Sequence, residues 1–192
     1  MMRIFSGTLR QRELVLPKTL DFRPTTSKLR MQVFNICQHM VEGARVLDLF
    51  AGSGSIGFEA ISRGAAHCTF VEKERAIASS LLQNIEKLCL KNTCTVLPGD
   101  ALSAIKKLSP SQPFSLVYID PPYDLVETPF FQEVLSAIDQ SQLIEKGGTL
   151  FIESRKNSLT LPSFSSLSLQ SRRRSGQSEL WQYTSTNRIA SK

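Results

Sequence analysis

The sequence predicts a parallel, doubly wound α/β sheet. Short apolar, β-prone runs alternate with segments of helical periodicity from residue 45 to residue 153. The first run feeds a glycine-rich turn, and four successive runs stop at an acid: Asp48, Glu72, Asp100 and Asp120. Parallel neighbours need crossover connections, which accounts for the alternation. Ligands on such sheets bind beyond the carboxyl ends of the strands, near the point where strand order reverses. The four acids therefore mark the predicted site.

Residues 3–9 and 13–16 read as two short strands joined by the basic turn Arg10-Gln-Arg12. Pro17 ends this hairpin, and Asp21-Phe22-Arg23-Pro24 is an extended link. Thr25 or Thr26 caps a helix with Leu29, Val33, Phe34, Ile36, Cys37 and Met40 on its inward face. Lys28, Arg30, Gln32 and Gln38 take the other side, and Gly43 stops it. The alternation then gives strand 45–49, helix 56–63, strand 68–71 and helix 74–90, with Ile77, Leu81, Leu82, Ile85 and Leu88 inward. Strand 94–97, a helix through Leu108, strand 115–119, helix 129–139 and strand 148–153 follow. Strand-like segments 167–169 and 180–183 are expected to close the sheet as an antiparallel hairpin. Residues after Thr184 read as a frayed end. The division is a basic extension over residues 1–24, a main domain over 25–184 and a disordered tail over 185–192.

The turn after the first core strand fits G-x-G-x-x-G at Gly52, Gly54 and Gly57, and Glu72 lies 20 residues beyond Gly52. Alone, this also matches a dinucleotide fingerprint. Two details favour S-adenosylmethionine. A carboxylate at Asp48, inside the strand's last turn, can hold an amino-acid ammonium but opposes a pyrophosphate. No Lys or Arg accompanies the glycines to neutralise phosphates. The glycines let the backbone approach a ligand closely, and Phe50, Ala51 and Ser53 complete the turn. Glu72, followed by Lys73, is expected to grip the ribose hydroxyls. Asp100 and Ala101 are expected to meet the adenine, with Asp100 accepting from its exocyclic amine.

The fourth strand end is Asp120-Pro121-Pro122-Tyr123. Each Pro fixes φ and offers no N–H, and the residue before a Pro is pushed out of the α region. The result is a stiff corner presenting a carboxylate, bare carbonyls and a flat ring. A nucleobase amine is a poor nucleophile because its lone pair is delocalised. Hydrogen bonds from its N–H groups to Asp120 and the Pro121 carbonyl favour a pyramidal nitrogen aimed at the methyl donor. Tyr123 then stacks on a base that has left its helix or loop.

Of the net charge of +6, the first 30 residues hold +5: Arg3, Arg10, Arg12, Lys18, Arg23, Lys28 and Arg30 against Glu13 and Asp21. Concentrated positive charge at one end points to a polyanionic partner. Cys37, Cys68, Cys89 and Cys94 form no C-x-x-C pair and read as free core thiols, and His39 and His67 as structural. No metal is expected. Without an apolar leader or a membrane-length apolar run, a cytoplasmic monomer is expected.

Val117-Tyr-Ile-Asp-Pro-Pro-Tyr123 resembles the motif of adenine-N6 and guanine-N2 methylating enzymes. Further segments resemble the bacterial RsmD family, which methylates a guanine N2 of 16S rRNA in the small ribosomal subunit. They are Met2-Arg-Ile-Phe-Ser-Gly7, Leu20-Asp-Phe-Arg-Pro-Thr-Thr26, Phe34-Asn35, Leu47-Asp-Leu-Phe-Ala-Gly-Ser-Gly54, Gly57-Phe-Glu-Ala-Ile-Ser-Arg-Gly64 and Phe151-Ile-Glu153. The family often has Gly where Gln11 stands, Glu where Met31 stands and an aromatic residue where Ser175 stands. The resemblance implies a class I methyltransferase fold, Rossmann-like with a seven-stranded mostly parallel sheet, and S-adenosylmethionine as donor. It also implies that the N-terminal hairpin and the Arg23 region, with Arg3, Arg10, Arg12, Thr25 and Thr26, contact rRNA or cover the site.

The rival within enzymes is a DNA adenine-N6 methyltransferase, although the chain shows no separate target-recognition domain. A catalytically silent RNA-binding assembly factor is the rival from another class, disfavoured by acids at all four strand ends. A dehydrogenase has no use for Asp-Pro-Pro-Tyr.

Overall fold

The computed structural model describes residues 2–16, 27–156 and 161–186. The core strands are β3 (Arg45–Leu49), β4 (His67–Glu72), β5 (Cys94–Pro98), β6 (Phe114–Ile119), β7 (Ile144–Arg155), β8 (Leu167–Ser175) and β9 (Ser178–Ser185). They form one sheet in the order β5-β4-β3-β6-β7-β9-β8. The strands from β5 to β7 run parallel, and β9 and β8 close the edge antiparallel. Strand order reverses between β3 and β6, so that junction is the switch point.

Helices cover both faces, and β3, β4 and β6 are accordingly buried along nearly their whole length. Val46, Phe70, Tyr118 and Phe151 pack with Leu29 and Phe34 of α1 (Ser27–Ile36), Ile56 and Phe58 of α2 (Ser55–Ser62) and Leu81 of α3 (Arg75–Lys87). On the other face Leu47, Val117, Ile119 and Ile152 meet Ala104 and Ile105 of α4 (Ala101–Lys107) and Phe131, Val134 and Leu135 of α5 (Pro129–Gln140). The paired part of β7 begins four residues earlier than the sequence suggests. Its pairing with β6 starts at Phe114↔Ile144 and continues past an irregularity between Phe114 and Leu116.

The N-terminal hairpin is shorter than expected. Only β1 (Met2–Arg3) and β2 (Glu13–Leu14) pair as strands. The next backbone donors are taken by helix α2. Phe5 and Ser6 N–H donate to the Glu59 carboxylate at 2.7 and 3.0 Å, Thr8 N–H to the Ser62 carbonyl, and Leu9 N–H to Ser62 Oγ. Ser62 Oγ in turn donates to the Ser6 carbonyl. Asn84 of α3 exchanges two bonds with the Val15 backbone at 2.7 and 2.9 Å. This arm covers the outer side of α2, which explains why all eight residues of that helix are buried. Gln11 holds φ 68, a left-handed conformation that glycine adopts more readily.

Several assignments change under this cover. Arg30, placed on the polar side, is 2% exposed. It lies 3.9 Å from the centre of the Phe5 ring, and its Nη2 donates to the Arg3 carbonyl. Burial lowers its pKa, with Glu59 opposing and Arg63 adding to that shift. Met40 and Leu82, placed inward, are exposed, and so is Cys89, at a left-handed turn of φ 59. Arg23, Thr25 and Thr26 lie outside the described residues. Helix α2 runs back against β3, so Ser62 and the arm's turn lie at the amino ends of the core strands. Arg10 and Arg12 are therefore exposed at the end of the sheet opposite Asp120, and the described part of the arm does not cover the predicted site.

Glu59 is fully buried and accepts from two backbone donors and from Arg63 Nε at 2.9 Å. Glu59→Ala is expected to cost roughly 3–5 kcal/mol, the range for breaking a buried charge pair. Amide exchange at Phe5 and Ser6, measured by NMR, should rise before global unfolding.

Candidate functional site

The pairing register aligns the four acids. Asp48 pairs with Phe70 and with Tyr118, and Glu72 with Pro98. Alternation then puts Asp48, Glu72, Asp100 and Asp120 on one parity, at the carboxyl ends of neighbouring strands. In space the row reads Asp100, Glu72, Asp48, Asp120, because β5, β4, β3 and β6 are adjacent in that order.

The glycine turn lies in the middle of this row. Phe50, Gly52 and Gly54 hold φ of 60, 53 and 72, three left-handed residues within five. For Phe50 this conformation is strained, and such strain concentrates at ligand sites. Gly54 and Gly57 are needed for packing as much as for ligand approach. A Cβ at Gly54 would come within 2.7 Å of Phe58, and one at Gly57 within 2.2 Å of Phe70 and 2.5 Å of Cys68 Sγ. Gly57→Ala should therefore lower stability by about 1–3 kcal/mol, despite a helix-propensity gain of about 1 kcal/mol. Urea denaturation checks this.

Glu72 ties the turn together. Its Oε2 accepts from Gly52 N–H at 2.9 Å and its Oε1 from Glu74 N–H at 2.8 Å. Ala51 N–H donates to the Val71 carbonyl, and Ser53 is buried beside it. Lys73 is exposed at the rim. Asp48 lies two residues deeper than Glu72, level with Phe70, is 2% exposed, and its Oδ2 accepts from Gly57 N–H at 3.1 Å. It acts on the turn from below and does not project into open space. Burial pushes its pKa up to about 8, opposed by the Gly57 bond and reinforced by Glu72.

Asp100 caps α4, accepting from Ser103 N–H at 2.9 Å and Ser103 Oγ at 2.8 Å, and these bonds lower its pKa. Ala101, the first residue of that helix, is buried. Asp120 and Tyr123 are solvent-accessible, with Tyr123 36% exposed, and Pro121 between them is buried while Pro122 is exposed. Pro122 O and Tyr123 O receive the N–H groups of Leu125 and Val126, which closes the corner into a turn.

Sequence reasoning missed one buried acid at this end. Glu153 of β7 is 4% exposed and accepts from Tyr118 Oη at 2.5 Å. It stands level with Asp120, because the preceding residues pair as Ile119↔Ile152. Burial, then the charges of Glu153 and Asp120, push the Tyr118 pKa well up. The signal was available, since Phe151-Ile-Glu153 is one more strand ending in an acid.

The residues fit the expected methyl donor. A buried carboxylate kept from ionising by its surroundings gains most when a cation arrives. Backbone amides and the Asp48 and Glu72 carboxylates engage the turn directly.

The family model described as Conserved hypothetical protein 95 matches residues 2–184. A putative rRNA methyltransferase of Bacillus subtilis is 34% identical over 153 residues, 79% of this chain and 82% of its own length. Ribosomal RNA small subunit methyltransferase D of Escherichia coli K12 is 32% identical over 152 residues, 79% of this chain and 74% of that one. The solved structure of a putative methyltransferase from Escherichia coli superposes with a TM-score of 0.84 at 30% identity, covering 96% of this chain and 97% of its own. The family model spans nearly the whole chain and these relatives are 30% or more identical over most of it, so the chain belongs to the ribosomal RNA small subunit methyltransferase D family.

Proposed function

We propose that the protein transfers a methyl group from S-adenosylmethionine to the exocyclic N2 amine of a guanine in 16S ribosomal RNA. The observation that carries this reading is the row Asp100, Glu72, Asp48, Asp120 at the switch point, ending in Asp-Pro-Pro-Tyr. When bound, S-adenosylmethionine supplies an electrophilic methyl on a sulfonium.

The chain's own residues do the rest. Asp100 and Ala101 meet the adenine edge, and Glu72 takes the ribose hydroxyls with the lone pairs its two backbone bonds leave. The 50–54 turn presents backbone groups to the amino-acid part, and the Asp48 charge beneath it favours a cationic ligand. Asp120 and the Pro121 carbonyl accept from the two amine hydrogens, which turns the nitrogen lone pair toward the methyl. Tyr123 stacks on the extruded base. As the nitrogen is methylated it becomes acidic, and Asp120 or water takes its proton. Rate comes from orientation and charge placement.

Guanine and 16S rRNA come from the family, whose relatives carry the small ribosomal subunit in their name. The test is to incubate the protein with methyl-labelled S-adenosylmethionine and, separately, naked 16S rRNA, assembled small subunits and DNA. Label is expected in rRNA, naked or assembled. Label in DNA alone would favour the adenine-N6 reading, and no label in any arm the silent assembly factor.

A further inference from the structure

We propose that the tip of the β8–β9 hairpin binds phosphates of the RNA strand carrying the target base, with Arg173 as the contact and Arg155 beside it. This rests on the RNA methyltransferase reading above.

Strand β9 runs antiparallel to β7, so the turn at Gly176-Gln177 lies at the carboxyl end of β7, the end that carries Asp120. The register sets the level. Glu153 pairs with Leu180, and Leu180 with Arg173. Glu153 is itself level with Asp120, one step beyond Ile119↔Ile152. Arg173 therefore stands level with Asp120, three strand spacings away in the order β6-β7-β9-β8. At about 4.8 Å per spacing this is roughly 14 Å.

The face is also the same. Leu180 packs in the cluster that holds Tyr118 and Phe151, so its pair mate Arg173 shares the face of Tyr118 and Asp120. Arg155, two residues past Glu153, shares it by strand alternation. A carboxylate to receive an amine and the exposed Arg173 guanidinium to receive a phosphate thus stand on one face and at one level.

Residues 172–174 do not act alike. Arg172 and Arg174 belong to the opposite face and converge on Glu179, which is fully buried. Arg172 Nη2 reaches both Glu179 oxygens, at 2.9 and 2.7 Å, and its guanidinium lies 4.3 Å from the Trp181 ring. Arg174 Nε donates to the same carboxylate at 2.9 Å. These two brace the hairpin. Arg173 is exposed, makes no ion pair among the described residues, and donates Nε to Ser171 Oγ at 3.3 Å. Its charge remains available to a polyanion. The arm's Arg10 and Arg12 lie at the far end of the sheet and cannot serve phosphates next to the flipped base.

The test uses the full chain, a fluorescent 16S rRNA transcript and a salt series, with Arg173→Ala and Arg173→Lys. Arg173→Ala is expected to weaken RNA binding severalfold and to flatten the slope of log affinity against log salt by about 0.7–1, one phosphate contact. Its KM for RNA should rise with kcat, S-adenosylmethionine affinity and Tm unchanged, and Arg173→Lys should restore most of the loss. If wild-type protein methylates RNA while Arg173→Ala matches it in KM and salt slope, the hairpin assignment is overturned. A fall in Tm that Arg173→Lys does not repair, with the salt slope unchanged, overturns it too by showing a bracing role. Wild-type protein that neither binds nor methylates any RNA fails the underlying reading instead, which separates the two failures.

Discussion

Asp120→Ala is expected to keep S-adenosylmethionine binding and to lose methyl transfer by roughly 100- to 1000-fold in kcat, the range for removing one preorganised charge-stabilising group. Asp120 follows the last residue of β6, at the strand end nearest the switch point, and the two prolines after it fix its backbone. The role proposed for it concerns the amine nitrogen, which acquires positive charge only as the methyl arrives. Ground-state affinity for either substrate is therefore a secondary effect. Asp120→Asn sharpens the point, because it keeps the shape and one acceptor oxygen while removing the charge. Calorimetry for cofactor binding and single-turnover transfer for chemistry separate the two. A near-normal rate in Asp120→Ala would remove the basis for the amine clamp.

Asp48→Asn should do the reverse and weaken S-adenosylmethionine binding. Where Asp48 is ionised, above about pH 8, unit charges about 6 Å apart at an effective dielectric near 20 attract by roughly 3 kcal/mol, about a hundredfold in affinity. At pH 7 the cost of releasing its proton, about 1.4 kcal/mol per pKa unit, cuts this to about tenfold. The pH dependence gives a second signature. The Asp48 pKa is raised from 3.8 to about 8 by burial, so the folded protein holds this proton where the unfolded chain has lost it. The stability Asp48 contributes is fully present below the unfolded value and is lost as pH rises through about 8. A bound cation lowers this pKa, so binding at pH 7 should release a proton, and affinity should rise as pH approaches about 8. Calorimetry in buffers of different ionisation enthalpy reads the proton directly. In Asp48→Asn this component of the release should vanish.

The sheet and the acid row were legible because both rest on local pattern. Strands end where apolar runs end, and Asp48, Glu72, Asp100 and Asp120 stand at those ends without any tertiary information. What local pattern could not show was how the acids are already engaged. Glu72 bonds Gly52 and Glu74, Asp48 bonds Gly57, and Asp100 caps its own helix. The N-terminal arm was legible as basic and turn-rich, but not in its docking. Its partners Glu59 and Ser62 lie more than 50 residues away in the sequence, beyond the reach of local pattern. The same contact buries Arg30, which helical periodicity alone assigns to solvent. Arg172, Arg173 and Arg174 are adjacent in the chain, yet strand alternation splits them into two braces and one exposed charge.

The central claim is that the Asp120-Pro121-Pro122-Tyr123 corner holds the amine of a guanine in small-subunit rRNA. Mass-spectrometric identification of the modified nucleoside tests it most directly, after reaction with 16S rRNA and S-adenosylmethionine and complete digestion. The expected product is N2-methylguanosine, present with the wild-type chain and lost with Asp120→Ala. N6-methyladenosine as the product, or N2-methylguanosine formed undiminished by Asp120→Ala, would contradict it.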